Sequence, residues 1–196
     1  MKNVLFLVAT LLSGTLALNA QTSYPKGSYM SLEEIVTKSP TGTHDLVVKV
    51  SKSGSEANVT SKDKNVKKKT INKEIWAVSD GENFVLNTAM FEYDSDYIKV
   101  QSEGKYLPFL AGVSKKDAAV AGVAGGIMGG AIASSIRKLY IMDSENGLVF
   151  KADKNIVSEF LQEYPEIQSE YENEKDPKDS EVIISYIRKL NSKLKE

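Results

Sequence analysis

A run of nineteen residues without a charged side chain, residues 118–136, most constrains how this chain can fold. It contains five glycines and six alanines, and it has no leucine. As a helix it would be about 28 Å long, close to the roughly 30 Å hydrocarbon core of a bilayer. The composition predicts a Gly/Ala-rich hydrophobic helix inserted between the strands of the protein.

The glycines of this segment follow a helical spacing. Gly122, Gly126 and Gly130 recur every four residues, and Gly125 and Gly129 lie beside them. At about 100° per residue all five fall on one side of a helix, where a second backbone can approach closely. We therefore predict that this glycine face packs against another helix, from a membrane-protein partner or from a second copy of the chain in a homo-oligomer.

Two other interpretations of the segment stay open. Glycine and alanine gain little free energy from lipid, because insertion is driven by large apolar side chains. Each interior glycine also costs about 1 kcal/mol relative to alanine in a helix. The segment could therefore be a helix buried against the chain's own sheet, or a flexible loop. Lysine and arginine flank both of its ends, so charge gives it no orientation in a membrane.

The first twenty residues have the pattern of an export signal. Lys2 supplies a positive charge, residues 4–12 are apolar, and Ala20 is the small residue that signal peptidase requires. We expect cleavage after Ala20 and a mature domain, residues 21–196, in the periplasm or elsewhere in the cell envelope. The chain has no cysteine, so the lipidated cysteine of bacterial lipoproteins cannot form.

Turn dipeptides predict an antiparallel sheet built from hairpins. Each dipeptide separates two apolar segments that are rich in strand-forming residues. The pairs are 70–79 and 83–91 around Asp80-Gly81, 97–101 and 105–110 around Glu103-Gly104, and 139–142 and 148–151 around Asn146-Gly147. A further strand is expected over 44–50, and Trp76, Phe84 and Leu86 are expected in the core.

Helices are predicted at both ends of the mature chain. Ser31 and Glu34 have the spacing of a capping box, which predicts a short N-terminal helix. Apolar residues between positions 156 and 164 fall on one helical face, until a proline interrupts them. Asp176-Pro177 is typical of a helix start and predicts a last helix. Together these elements predict a single α+β domain.

Two segments depart from the balanced charge of the chain, which is −1 overall. Residues 61–73 contain six lysines and one aspartate, and residues 163–179 contain seven acids and two lysines. Either segment could be a solvated surface, the basic one could contact anionic lipid or polysaccharide phosphate, or the two could attract each other. Neither interleaves aromatic residues with its charges, so no nucleic-acid partner is predicted.

The chain offers few of the side chains on which catalysis depends. It has no cysteine and a single histidine, His44, which excludes thiol nucleophiles, thiolate metal sites and sites that need two imidazoles. The acid clusters 94–96 and 143–147 lack the full calcium-loop pattern. We therefore predict a non-enzymatic protein with no catalytic residues, no metal and no cofactor. An enzyme would have to use paired carboxylates.

A soluble periplasmic module that binds a ligand or a protein is the alternative function. In this interpretation the Gly/Ala helix is buried inside the domain. A ligand pocket would then lie among the aromatic residues of the sheet, which are Tyr97, Tyr106, Phe109 and Tyr140.

Three stretches of the sequence resemble a known group of proteins. Residues 25–34 contain Gly27-Ser28-Tyr29 as a G-x-Y motif, residues 74–83 contain I-W-x-x-x-D-G, and residues 105–107 precede the Gly/Ala segment. This order resembles small exported proteins of unknown function from Bacteroides-type bacteria. The resemblance implies an envelope location and an α+β domain with a helical C-terminal end, and it implies no activity.

Overall fold

The computed structural model describes residues 23–93, 97–112 and 137–196. Over these residues the chain forms two antiparallel sheets and five α-helices, so the predicted α+β class is confirmed. The predicted export signal, the acid cluster 94–96 and the Gly/Ala segment 118–136 with its five glycines lie outside the described residues.

The larger sheet is a curled, antiparallel sheet of six strands. In chain order these are β1 (Gly27–Tyr29), β2 (Leu46–Val50), β3 (Glu56–Ser61), β4 (Ala77–Ser79), β5 (Phe84–Asn87) and β6 (Tyr97–Lys99). Their spatial order is β1-β4-β5-β6-β3-β2. The smaller sheet has the order β7-β8-β9 and consists of β7 (Tyr106–Ala111), β8 (Lys138–Asp143) and β9 (Val149–Lys151).

The helices are α1 (Leu32–Thr37), α2 (Lys68–Glu74), α3 (Lys154–Leu161), α4 (Pro165–Glu172) and α5 (Ser180–Lys193), with a 3₁₀ turn at Thr88–Phe91. The last four helices cover the outer faces of the sheets, whereas α1 packs on the core between the sheets. No helix of the described ranges combines the length and the apolar character that a membrane crossing requires.

Side-chain alternation places the two sheets face to face. In β5, Phe84 points into the core between the sheets, whereas its neighbour Val85 packs on the other face with α2. In β8, Met142 joins the same central core, whereas Ile141 packs against the C-terminal helices. The result is four layers, with α2 outside the larger sheet and α3, α4 and α5 outside the smaller one.

The N-terminal helix begins as predicted. The Ser31 hydroxyl accepts a hydrogen bond from the Glu34 backbone N–H, at 3.2 Å. The Glu34 carboxylate accepts from the Met30 backbone N–H at 2.7 Å and from the Thr41 hydroxyl at 2.6 Å. Burial would raise the pKa of Glu34, but these hydrogen bonds outweigh it and lower that pKa below its ordinary value. Glu34 therefore ties the start of α1 to the loop that follows the helix.

The first predicted hairpin is correct at its turn and wrong at both outer ends, since the second predicted strand ends at Asn87 and residues Thr88–Phe91 form the 3₁₀ turn. Strands β4 and β5 pair across Asp80-Gly81, and the Asp80 carboxylate accepts from the backbone N–H groups of Glu82 and Asn83. Residues 68–74, however, form helix α2 instead of a strand. Ile71 and Ile75 are four residues apart and both pack on the outer face of the larger sheet, and this tertiary contact favours a helix.

The second predicted hairpin does not form. β6 pairs with β3 and β5 in the larger sheet, whereas β7 pairs with β8 in the smaller one. One backbone hydrogen bond, from the Gln101 N–H to the Pro108 carbonyl oxygen at 2.8 Å, joins the two segments. Both segments contribute to the central core, so the chain crosses from one sheet to the other at Glu103-Gly104.

The third predicted hairpin is confirmed. Strands β8 and β9 pair with Met142 opposite Val149, and the connecting turn contains Gly147. The Asp143 carboxylate accepts from the Glu145 backbone N–H at 2.9 Å and from the Asn146 side chain at 3.2 Å. The Asp143 carboxylate of this cluster therefore stabilises the turn.

Replacing Gly147 with alanine is expected to cost about 2–3 kcal/mol of unfolding free energy. Gly147 has φ = +75°, and an added Cβ would lie 2.7 Å from the Leu32 side chain. Gly54 has nearly the same φ of +76° with open space around it, so Gly54→Ala is the matched control. It should cost only the free energy of holding an alanine at a positive φ. Urea unfolding measures the loss of unfolding free energy in both variants. Equal losses would show that the contact with Leu32 contributes nothing.

The C-terminal helices differ from the prediction at two points. Residues 165–172 form α4, with Pro165 at its first turn, where proline is tolerated. The last helix starts three residues later than predicted, because the Asp179 carboxylate, rather than that of Asp176, accepts from the N–H groups of Glu181 and Val182.

Candidate functional site

The most distinctive feature for function is the end of the smaller sheet at which the Gly/Ala segment leaves it. β7 and β8 are neighbours in antiparallel register, and Ala111 lies directly opposite Lys138. The chain from residue 112 to residue 137 therefore starts and finishes at adjacent positions of one sheet. It connects two strands that pair directly with each other.

A basic cleft lies beside this exit. Its cationic side chains are Arg137, Lys138, Lys151 and Lys178, and we call it the exit cleft. It has a volume of about 250 Å³, and apolar residues of the helical layer such as Ile183 contribute to its wall. The cleft is assembled by the first residues of β8, the last residue of β9 and the loop before α5.

The four cationic side chains of the exit cleft differ in whether a carboxylate pairs with them. Arg137 donates to the Glu56 carboxylate at 2.8 Å, which links the two sheets. Within the described ranges no carboxylate pairs with Lys138, Lys151 or Lys178. Three lysine side chains therefore remain available to an anion that enters the cleft.

The nearest acids in sequence are engaged at helix starts. The Asp179 carboxylate caps α5, and the Asp153 carboxylate accepts from the backbone N–H groups of Asn155 and Ile156 at the start of α3. Each cap satisfies backbone donors that have no partner inside the helix. These two carboxylates therefore accept hydrogen bonds from backbone N–H groups and do not pair with the lysines of the exit cleft.

Aromatic side chains approach the same end of the smaller sheet. Phe109 and Tyr140 are opposite each other in the β7–β8 pair, two residues from its end. Half-buried Tyr93 lies on Tyr140 with ring centroids 4.4 Å apart, and half-buried Phe91 links Phe109 to Trp76. These rings belong to the core between the two sheets, in which Phe109 and Tyr140 are buried.

A second, larger cleft of about 560 Å³ lies between α1, the two turns of the smaller sheet and α5. Its buried polar groups bond to one another. The Asn191 side chain accepts from the Tyr106 N–H and donates to the Tyr106 carbonyl oxygen, and the Ser144 hydroxyl donates to the Gly104 carbonyl oxygen. Lys105 at its rim pairs with Glu145 at 2.9 Å, which raises the pKa of Lys105. The buried polar groups of this cleft therefore hold α5 and the neighbouring turns in place.

The aromatic pocket of the alternative function is not formed. Tyr97 packs on the outer face of the larger sheet and donates to the Ile71 carbonyl oxygen. Tyr106 stacks on Phe160 in the helical layer. Of the four predicted residues, the central core brings together only Phe109 and Tyr140, whose centroids are 5.9 Å apart.

The two charged segments lie in different outer layers. The basic segment 61–73 runs from the end of β3 into α2, on the larger sheet. The acidic segment 163–179 contains α4, on the smaller sheet. The two sheets therefore lie between the two helices of these segments. No cluster of three or more His, Cys, Asp or Glu suited to a metal occurs in the part of the chain that the structure describes.

The exit cleft was not predictable as a site. Arg137 and Lys138 appear in the sequence as flanks of the Gly/Ala segment, but Lys151 and Lys178 carry no local signal. Only the pairing of β8 with β9 and the packing of α5 bring them together.

Comparison with known proteins assigns the chain to a family. A family of unknown function, DUF6563, matches residues 27–194. The chain belongs to this family. Neither a curated protein nor a solved structure matches it. The DUF6563 match extends from β1 to the end of α5, so both sheets, the exit cleft and the inserted segment lie within the family's extent.

Proposed function

We propose that this DUF6563 protein is a non-enzymatic protein of the cell envelope that associates with a membrane through residues 118–136. The direct pairing of Ala111 with Lys138 supports the proposal, because the chain leaves the smaller sheet before this uncharged segment and re-enters it afterwards at the neighbouring position. The export-signal pattern of residues 1–20 supports the envelope location.

The strand pairing restricts how the segment meets a bilayer. A single crossing by residues 118–136 would separate their two ends by about 28 Å. Paired strands hold Ala111 and Lys138 about 5 Å apart. Residues 112–117 reach about 21 Å when fully extended, and three of them are charged. We therefore infer that the segment enters and leaves through the same face of the membrane.

This arrangement also limits the depth of insertion. A segment of nineteen residues that turns at its middle has two arms of about 14 Å at helical rise, the depth of roughly one leaflet. A turn at the middle places Gly122, Gly125 and Gly126 in the first arm and Gly129 and Gly130 in the second. The glycines of each arm are proposed to pack against a second backbone there, which lowers the cost of a composition poor in large side chains. A membrane protein or another copy of the chain would supply that backbone.

Vesicle flotation of a linker variant tests the proposal. In this variant a short Gly-Ser-Asn-Gly linker replaces residues 113–136, and we expect it to stay with the soluble fraction while the unaltered protein floats. The matched control carries the same linker in place of residues 52–55, an exposed turn between β2 and β3, and it should float like the unaltered protein. Circular dichroism of all three proteins monitors folding.

Three results would contradict the proposal. The unaltered protein could fail to float, or the linker variant could float as well as the unaltered protein. The linker variant could also lose its secondary structure, which would show that the segment is part of the folded core. That last result would instead support the soluble binding module.

A further inference from the structure

We propose that the exit cleft binds the phosphate groups of anionic membrane lipids. The inference rests on the proposed membrane association and adds the lipid class and the orientation of the domain. It places the end of the smaller sheet, with Lys138, Lys151 and Lys178, against the lipid headgroups.

The position of the cleft supports this role. Arg137 and Lys138 are the residues through which the chain returns from the apolar segment into β8. Any surface into which residues 118–136 insert is therefore adjacent to the cleft. Basic residues next to a membrane-inserted segment contact the headgroup region and are attracted to anionic lipid.

The chemistry of the cleft fits a phosphate. Lys138, Lys151 and Lys178 come from three separate points of the chain and have no carboxylate partner in the described ranges. Each ammonium provides three hydrogen-bond donors and suits phosphate as a point charge. The Ser180 hydroxyl, at the first position of α5, lies on the same wall.

The walls of the cleft determine the kind of ligand it accepts. Leu139, Ala152 and Ile183 form its apolar part. A cleft of about 250 Å³ accommodates a headgroup phosphate with its nearest atoms but not an oligosaccharide. Apolar residues together with three ammonium groups in one cleft match the junction between a lipid phosphate and its glycerol.

The test compares binding to two kinds of vesicle. One kind is phosphatidylcholine alone, and the other is an equimolar mixture of phosphatidylcholine and phosphatidylglycerol. The unaltered protein should bind the mixture about 100-fold more tightly, at roughly fivefold per lysine. The variant Lys138→Gln/Lys151→Gln/Lys178→Gln should lose this preference and bind both vesicles alike, with unchanged unfolding free energy.

A matched control removes the same charge elsewhere. The variant Lys67→Gln/Lys68→Gln/Lys69→Gln alters exposed lysines at the start of α2, on the outer side of the larger sheet. It should keep the preference for the mixture. Soluble inorganic phosphate and glycerol phosphate are added as competitors. We expect neither to displace the protein at concentrations equal to the lipid phosphate, because binding to a surface also requires the inserted segment.

The outcomes separate this inference from the proposed function. If the unaltered protein floats with both vesicles equally, the exit cleft does not recognise anionic lipid and the membrane association stands. If the linker variant binds the mixture as tightly as the unaltered protein, the cleft binds lipid and the role of residues 113–136 is wrong. A control variant that loses the preference as strongly as the exit-cleft variant, or displacement by soluble phosphate, would overturn the inference.

Discussion

Replacing Asn191 with alanine is expected to lower the free energy of unfolding by about 2–4 kcal/mol. The Asn191 side chain is 2 % exposed. Its oxygen accepts from the Tyr106 backbone N–H at 2.9 Å, and its amide nitrogen donates to the Tyr106 carbonyl oxygen at 2.7 Å. The side chain thus takes the place of a neighbouring strand at the start of β7, and its removal leaves two backbone groups without a partner.

Urea unfolding of two further variants isolates this effect. Asn191→Asp keeps an acceptor for the Tyr106 N–H and loses the donor, so its loss should be comparable to that of alanine. Ser192→Ala removes an exposed hydroxyl that bonds only within α5, and it should change stability by less than about 0.5 kcal/mol. A loss for Asn191→Ala no larger than that for Ser192→Ala would show that the amide does not hold α5 to β7.

Replacing Phe84 with alanine is expected to cost about 3–5 kcal/mol. Phe84 is 1 % exposed in the core between the sheets. Its ring stacks on Tyr24 with centroids 3.7 Å apart and meets Tyr29 edge-to-face at 5.5 Å. Truncation therefore removes the contact that holds the N-terminal segment against the larger sheet, and it leaves a cavity.

Two control variants calibrate this loss. Phe84→Leu keeps most of the buried volume and should cost less than half as much as alanine. Phe150→Ala removes a half-buried ring on β9 and should also cost less. Equal losses for Phe84→Ala and Phe150→Ala, measured by urea unfolding, would contradict a core centred on the Tyr24 and Phe84 stack.

Features that depend on neighbours in sequence were predictable. The Ser31 cap, the Asp80-Gly81 turn and the Asn146-Gly147 hairpin all form where the sequence places them. In each case a side chain or a glycine satisfies a local backbone requirement, and distant parts of the chain are not needed. The same holds for the α+β class, which follows from hairpin signals followed by helical periodicity.

Features that depend on tertiary contacts were not predictable. Ile71 is equally compatible with a strand, and in α2 it packs on the outer face of the larger sheet together with Ile75, which follows the helix in extended conformation. The segments on either side of Glu103-Gly104 look like a hairpin but join different sheets. The exit cleft shares this dependence, since Lys178 reaches it only through the packing of α5.

The strand pairing changes the interpretation of the Gly/Ala segment. From its length alone, residues 118–136 suit a single membrane crossing. The pairing of Ala111 with Lys138 shows that the chain leaves and re-enters the smaller sheet at adjacent positions. The proposed shallow insertion from one face, with the exit cleft against the headgroups, agrees with this pairing and with the lysines of the exit cleft that have no carboxylate partner in the described ranges.

A tryptophan placed in the segment tests this account most directly. Trp76 is the single tryptophan of the chain, so Ile127→Trp in a Trp76→Phe background gives one reporter. Its fluorescence is measured with vesicles whose lipids carry bromine on the acyl chains. The account predicts a blue shift of the emission on adding vesicles, together with strong quenching by the brominated lipids. Emission that is already blue-shifted without vesicles and is not quenched by them would show that the segment is buried within its own domain, which would contradict the account.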